Sequence, residues 1–181
     1  MVYFKNLQVE EGLPQDSMRF VVEDFCFGKF RESGFSGSLE LSDNSDDCAS
    51  RLNDNDTDIR GGGVHSGSTI MGFDNQLDGD IDLVLGDLSS GRLVFAENGG
   101  TPEDNYMTHW EAEFPSYDIP VDMPFFLGSF HVDVDGDGRK DMLASPNSQG
   151  VSQNFDNILY YNNTGNPEEV FSFRTLSLIH I

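Results

Sequence analysis

The chain has 181 residues, with 32 Asp and Glu against 10 Lys and Arg, a formal charge of −22 with histidine neutral. That balance excludes a nucleic-acid binder working by phosphate neutralisation, which needs a basic face. A hydrophobic content of 37% with 12% aromatic residues predicts a packed core, and no apolar run approaches the ~20 residues of a membrane helix, so no membrane insertion is expected.

In chain order, residues 1–6 lack the charged and apolar segments of a secretory leader and read as a strand already in progress; residues 19–25 predict a second strand. Residues 1–30 are therefore expected to be the last strands of one unit. Cys26 and Cys48 bracket an unusually acidic stretch that includes Ser42 and Asp43, Asp46 and Asp47. Two thiols cannot complete a four-ligand zinc site. A disulfide is the preferred reading, worth roughly 3 kcal/mol in the chain-entropy model, with two unrelated buried thiols the alternative. Under the disulfide reading the compartment is oxidising. Residues 31–66 are expected to form a loop insertion leaving through Gly61, Gly62 and Gly63, or a disordered linker.

Two units of about 60 residues follow. Asp74, Asp78, Gly79 and Asp82 align with Asp133, Asp137, Gly138 and Asp141; the segment 93–98 aligns with 158–163; and each of these is followed by Gly and then Pro-Glu, at Pro102-Glu103 and Pro167-Glu168. Residues 2–6 resemble a third copy of that latter element. The first unit, 67–118, predicts strands over 68–73, 82–85, 92–97 and 107–114. The second, 119–175, predicts strands over 126–132, 141–144, 157–161 and 170–175. Four short strands per unit is the pattern of a β-propeller blade. The expected fold is all-β, with four-stranded antiparallel blades of an incomplete propeller, since four blades of this size would already need ~240 residues. Val84, Leu93, Phe95, Leu143, Leu159 and Tyr161 are expected to supply the half-covered blade faces. Residues 176–181 resemble read-through translation of a sequencing adapter and are expected to lie outside any fold.

The loop from Asp133 to Asp141 carries carboxylates at relative positions 1, 3, 5 and 9, with Gly136 and Gly138 letting the backbone curl. Asp133, Asp135, Asp137 and Asp141, with the backbone carbonyl of Arg139, would converge oxygens suited to Ca2+. Four carboxylates repel by up to ~4 kcal/mol per pair at 4 Å and an effective dielectric of 20, so metal binding should be linked to folding. An EF-hand loop begins the same way, but its twelfth position would be Ala144 and no helical period flanks it. The earlier loop keeps Asp74, Asp78 and Asp82, places Gln76 at position 3 and Leu77 at the glycine position, and offers Asp80 through its backbone oxygen. Weaker binding is expected there, and a merely acidic turn remains the alternative in both loops.

With Gly67-Ser-Thr-Ile70, the segments 83–87 and 98–102, and Phe130 leading into Asp133-Val-Asp-Gly-Asp-Gly138, these loops resemble the VCBS/FG-GAP repeat family of extracellular β-propellers. More narrowly they resemble repeats in large secreted proteins of Bacteroidetes-type bacteria that use type IX secretion. The resemblance covers residues 64–175 well and 1–30 more loosely; Gln76 and Leu77 depart from it. It implies secretion or a cell-surface location, calcium in the blade loops, and adhesion or binding to a protein or glycan partner, with the remaining blades on the same longer chain. The alternatives are an accessory propeller of a larger polysaccharide-acting enzyme, or a structural spacer.

Catalysis is not expected. His65, His109, His131 and His180 are scattered, His65 beside Ser66 lacks a nucleophile elbow, and no phosphate-cradling or dinucleotide fingerprint occurs. Trp110, Phe114 and Tyr117 suggest a carbohydrate-stacking platform, but packing within a blade is the preferred reading.

Overall fold

A computed structural model describes residues 1–32, 37–49, 68–124, 126–148 and 157–175. The described chain is all-β. It runs β1 (Tyr3–Asn6), β2 (Phe20–Asp24), β3 (Phe30–Glu32), β4 (Leu39–Leu41), β5 (Thr69–Phe73), β6 (Asp82–Gly86), β7 (Leu93–Asn98), β8 (Met107–Glu111), β9 (Leu127–Val132), β10 (Asp141–Pro146), β11 (Leu159–Asn163) and β12 (Phe171–Thr175). Every pairing within a sheet is antiparallel between sequence neighbours. Two hairpins, β1-β2 and β3-β4, accompany two four-stranded meanders, β5 to β8 and β9 to β12. Each expected strand is present, with its ends displaced by at most three residues. Strand β8 stops at Glu111 because Phe114 turns into the core, its amide donating to the Leu93 carbonyl at 3.0 Å.

The stretch read as a loop insertion departs from that expectation in its described part. Phe30, Arg31 and Glu32 pair with Leu41, Glu40 and Leu39, and the Phe30 and Leu39 side chains are buried. Apolar residues at alternate positions give this short hairpin one face to bury. Cys26 and Cys48 are joined by a disulfide, their Cα atoms 5.8 Å apart, which closes the segment holding the hairpin. The glycines at 61–63, with His65 and Ser66, lie outside the described residues, as do His180 and the rest of 176–181.

Strands β6 and β7 explain their nearly unbroken apolar sequences by serving two cores. Successive side chains of a strand point to opposite faces. Val84, Leu93 and Phe95 join Met142, Leu159, Tyr161 and Phe171 in a core between the two four-stranded sheets. Leu83, Leu85, Val94 and Ala96 join Phe30, Leu39 and Met107 in a second core, under the β3-β4 hairpin. The middle sheet is thus covered on both faces. Phe95 stacks on Phe114 at 5.0 Å between centroids, and Phe73 meets Phe171 at 5.1 Å. Such pairs add about 0.5–1.5 kcal/mol each beyond their buried area. Leu143, grouped by sequence with these residues, lies on the opposite face, paired across strands with Phe130 and Tyr160. That face is more open, and Phe130 is 56% exposed.

The first strands of the two meanders, β5 and β9, lie against each other. The Thr69 hydroxyl donates to the Leu127 carbonyl across this seam. Gly86, paired with Thr69, has no room for a side chain, because a Cβ there would collide with the Leu127 carbonyl oxygen and the Thr69 hydroxyl. Backbone atoms cannot swing aside as a flexible side chain can. Gly86→Ala is therefore expected to cost about 1–3 kcal/mol, read as a lowered urea midpoint with unchanged slope. A midpoint equal to that of the parent protein would show that the seam opens freely.

Candidate metal centre

The two acidic loops join the first pair of strands in each meander. Val132 pairs with Asp141, and Phe73 with Asp82, so each loop must reverse the chain between adjacent partners. In the second loop Gly136 and Gly138 take positive φ, 79° and 90°. With the chain curled this way, both Asp133 carboxylate oxygens accept backbone amides, from Gly136 at 2.7 Å and from Gly138 at 3.0 Å. Asp135 accepts from the Asp137 amide and the Asn162 side chain, each at 3.1 Å.

Asp141 is fully buried. Its Oδ2 accepts from the Val134 amide at 2.8 Å, and its Oδ1 from the Asn163 amide at 2.7 Å and the Asn162 side chain at 3.2 Å. One carboxylate thereby ties the loop to the start of β10 and the end of β11. Asp133, Asp135 and Asp141 each offer an oxygen within 4.8 Å of the others, and this group could hold a metal ion.

Asp137, expected beside them, is placed otherwise. Its carboxylate accepts the Arg139 amide at 2.8 Å and pairs with the Arg139 guanidinium, whose Nε donates to the Asn163 carbonyl at 3.1 Å. The charge pair two residues apart satisfies Asp137 locally and leaves three of the four carboxylates to converge.

The first loop repeats much of this bonding. Asp74 accepts the Asp78 and Gly79 amides at 3.1 and 3.0 Å. Asp82, fully buried, accepts from the Asn75 amide at 2.7 Å and the Asn98 amide at 2.8 Å, the counterparts of Val134 and Asn163. Burial pushes its carboxyl up to about 6, against the pull of those two amides.

Asp80 is buried along with its side chain. Its side chain is 4% exposed, and burial, followed by the charge of Asp78 beside it, pushes its carboxyl up to about 6. Oδ1 of Asp80, Oε1 of Gln76 and Oδ1 of Asn75 are buried with no hydrogen-bond partner among the described residues. A buried acceptor left unmade costs about 1–3 kcal/mol, so these oxygens suit a cation that replaces the missing donors.

The donors in both loops are oxygens, from carboxylates, amides and backbone, with neither thiolate nor imidazole among the converging groups. Such a set favours a hard divalent cation, Ca2+ or Mg2+, over Zn2+. Asn6, Asn98 and Asn163 were missed by the search for acids. Each ends a strand and accepts, through Oδ1, the amide two residues on, at 3.1, 3.0 and 2.9 Å. Their recurrence before the loop that follows each strand was the available signal.

The other singled-out residues have packing roles. Trp110 packs against the hairpin-side core and Phe114 is buried between the sheets, so these two do not make an open stacking platform. His131 stands edge-on to Phe73 and Phe171, its pKa held below the ordinary value by burial and then by the Lys140 charge. No family model matches the sequence, and no curated protein or solved structure matches it significantly.

Proposed function

We propose that the chain is a calcium-binding segment of a β-propeller of the VCBS/FG-GAP kind, secreted or held at a cell surface, with a binding role rather than a catalytic one. One observation carries the reading. Two acidic loops at the same position in adjacent four-stranded meanders each anchor a buried Asp, Asp82 or Asp141, on backbone amides of their own sheet, and place further oxygens beside it.

The face-to-face packing of the meanders and the contact of their first strands support blades arranged around an axis. The more open face bearing Leu143, Tyr160 and Phe130 is the surface that a further blade of a longer chain would cover. Calcium is preferred to magnesium because three converging carboxylates on a hairpin do not impose the near-ideal octahedral geometry that Mg2+ demands.

Titration calorimetry on the metal-stripped protein should count two calcium ions per chain. The site of Asp133, Asp135 and Asp141 should fill at the lower concentration, and magnesium should compete only weakly. Absence of binding at millimolar calcium would remove the proposal.

A further inference from the structure

Between the two acidic loops lies an open cleft of about 500 Å3, well inside the range of small-molecule sites. One wall comes from the end of β5 and the first loop, through Phe73, Asp74 and Leu77. The other comes from Lys140 and the turn between β11 and β12, through Asn166, Pro167 and Val170. Phe73 and Val170 of its lining also belong to the core between the sheets, and Asp74 also belongs to the first acidic loop.

Three features distinguish it from a passive crevice. In a chain of net charge −22 it is bordered by two cations, Arg139 and Lys140. Arg139 is satisfied by Asp137 and the Asn163 carbonyl, whereas Lys140 makes no ion pair among the described residues, although its charge reaches His131. Secondly, Leu77 holds a positive φ of 62° while 68% exposed at the rim. A bulky side chain in the left-handed region is strained, and such strain concentrates at ligand sites. Thirdly, the polar groups are of mixed kind: an ammonium on Lys140, the Asn166 amide nitrogen, and the Asp74 carboxylate, around a floor of Phe73 and Val170 and a Pro167 ring.

We propose that this cleft binds a uronic-acid unit of an acidic glycan, its carboxylate on Lys140, its hydroxyls on Asn166 and Asp74, and its C–H face on Leu77 and Pro167. An anion suits Lys140, which is exposed and makes no ion pair among the described residues. Hydroxyls suit Asp74, whose carboxylate oxygens each accept one backbone amide and keep a further lone pair, and which would repel a ligand that was anionic throughout. A flat apolar face is required by the leucine and proline. A simple aromatic carboxylate meets the first and third requirements and leaves the second unmet.

The inference deepens the binding role proposed above but stands on the cleft, so the two are tested apart. Calcium binding is measured first without sugar. Trigalacturonate, neutral galactotriose and benzoate are then titrated separately into the calcium-saturated protein by calorimetry. Trigalacturonate should bind at least tenfold more tightly than the other two. Lys140→Ala should weaken it tenfold or more while leaving the calcium stoichiometry and circular dichroism unchanged. Leu77→Gly, which removes the apolar wall and the backbone strain together, should weaken sugar binding without lowering the melting temperature. Equal binding of galactotriose, equal binding of benzoate, or full affinity in Lys140→Ala would each overturn the assignment, as would no binding of trigalacturonate by protein that retains its calcium.

Discussion

Asp141→Ala is expected to lower stability by roughly 3–5 kcal/mol in the absence of any metal. The carboxylate is fully buried and accepts the Val134 and Asn163 amides at 2.8 and 2.7 Å, with the Asn162 side chain as a third donor. Each donor stranded away from water costs about 1–3 kcal/mol, and alanine offers none of them an acceptor. The expected loss exceeds that for a surface charge because hydration cannot replace the missing oxygens. Asn at this position keeps one acceptor and should recover part of the difference. Urea denaturation in the presence of EDTA measures the effect without contribution from calcium. A loss under about 1 kcal/mol would mean that the loop stays closed without this tie.

Calcium itself should produce the second large effect. A ligand that binds only the folded state at 100 times its dissociation constant stabilises by about 2.7 kcal/mol. For a chain of this size that amounts to a melting-temperature rise of about 5–10 °C per site. Asp135→Ala separates this effect from the architectural one. Asp135 is exposed and accepts only the Asp137 amide and the Asn162 side chain, both at 3.1 Å. Its loss should leave the metal-free protein within about 1 kcal/mol of the parent. It should nevertheless abolish the part of the calcium-induced rise that belongs to this loop. Differential scanning calorimetry with and without calcium reads both quantities, and an undiminished rise in Asp135→Ala would take that residue out of the site.

The contrast between these two aspartates shows where sequence reading is strong. Both stand in one acidic run, and spacing alone places them in one turn. Their alternation with glycine, and the short β-rich segments on either side, were sufficient for the four-stranded meanders and for most strand positions. The hairpin of Phe30–Glu32 and Leu39–Leu41 was harder to see. Three residues per strand give a period-two signal too short to stand out, and the strands gain most of their burial from Leu83, Leu85 and Val94 of another sheet. Likewise Leu143 and Val84 hold the same register in their sheets, yet Val84 is buried against the second meander while Leu143 stands on that meander's more open face.

By itself, the sequence determined an all-β chain with two acid-rich turns capable of gathering oxygens, because strand period and aspartate spacing are local properties. Tertiary structure alone decided which oxygens gather. Asp137 is withdrawn by the guanidinium two residues on, Asp80 is driven inside among other acids, and Asn98 and Asn163 come from the adjoining strand to anchor Asp82 and Asp141. Those assignments depend on burial and on donors that the folded sheet brings alongside from the adjoining strand, which aspartate spacing within a loop does not encode.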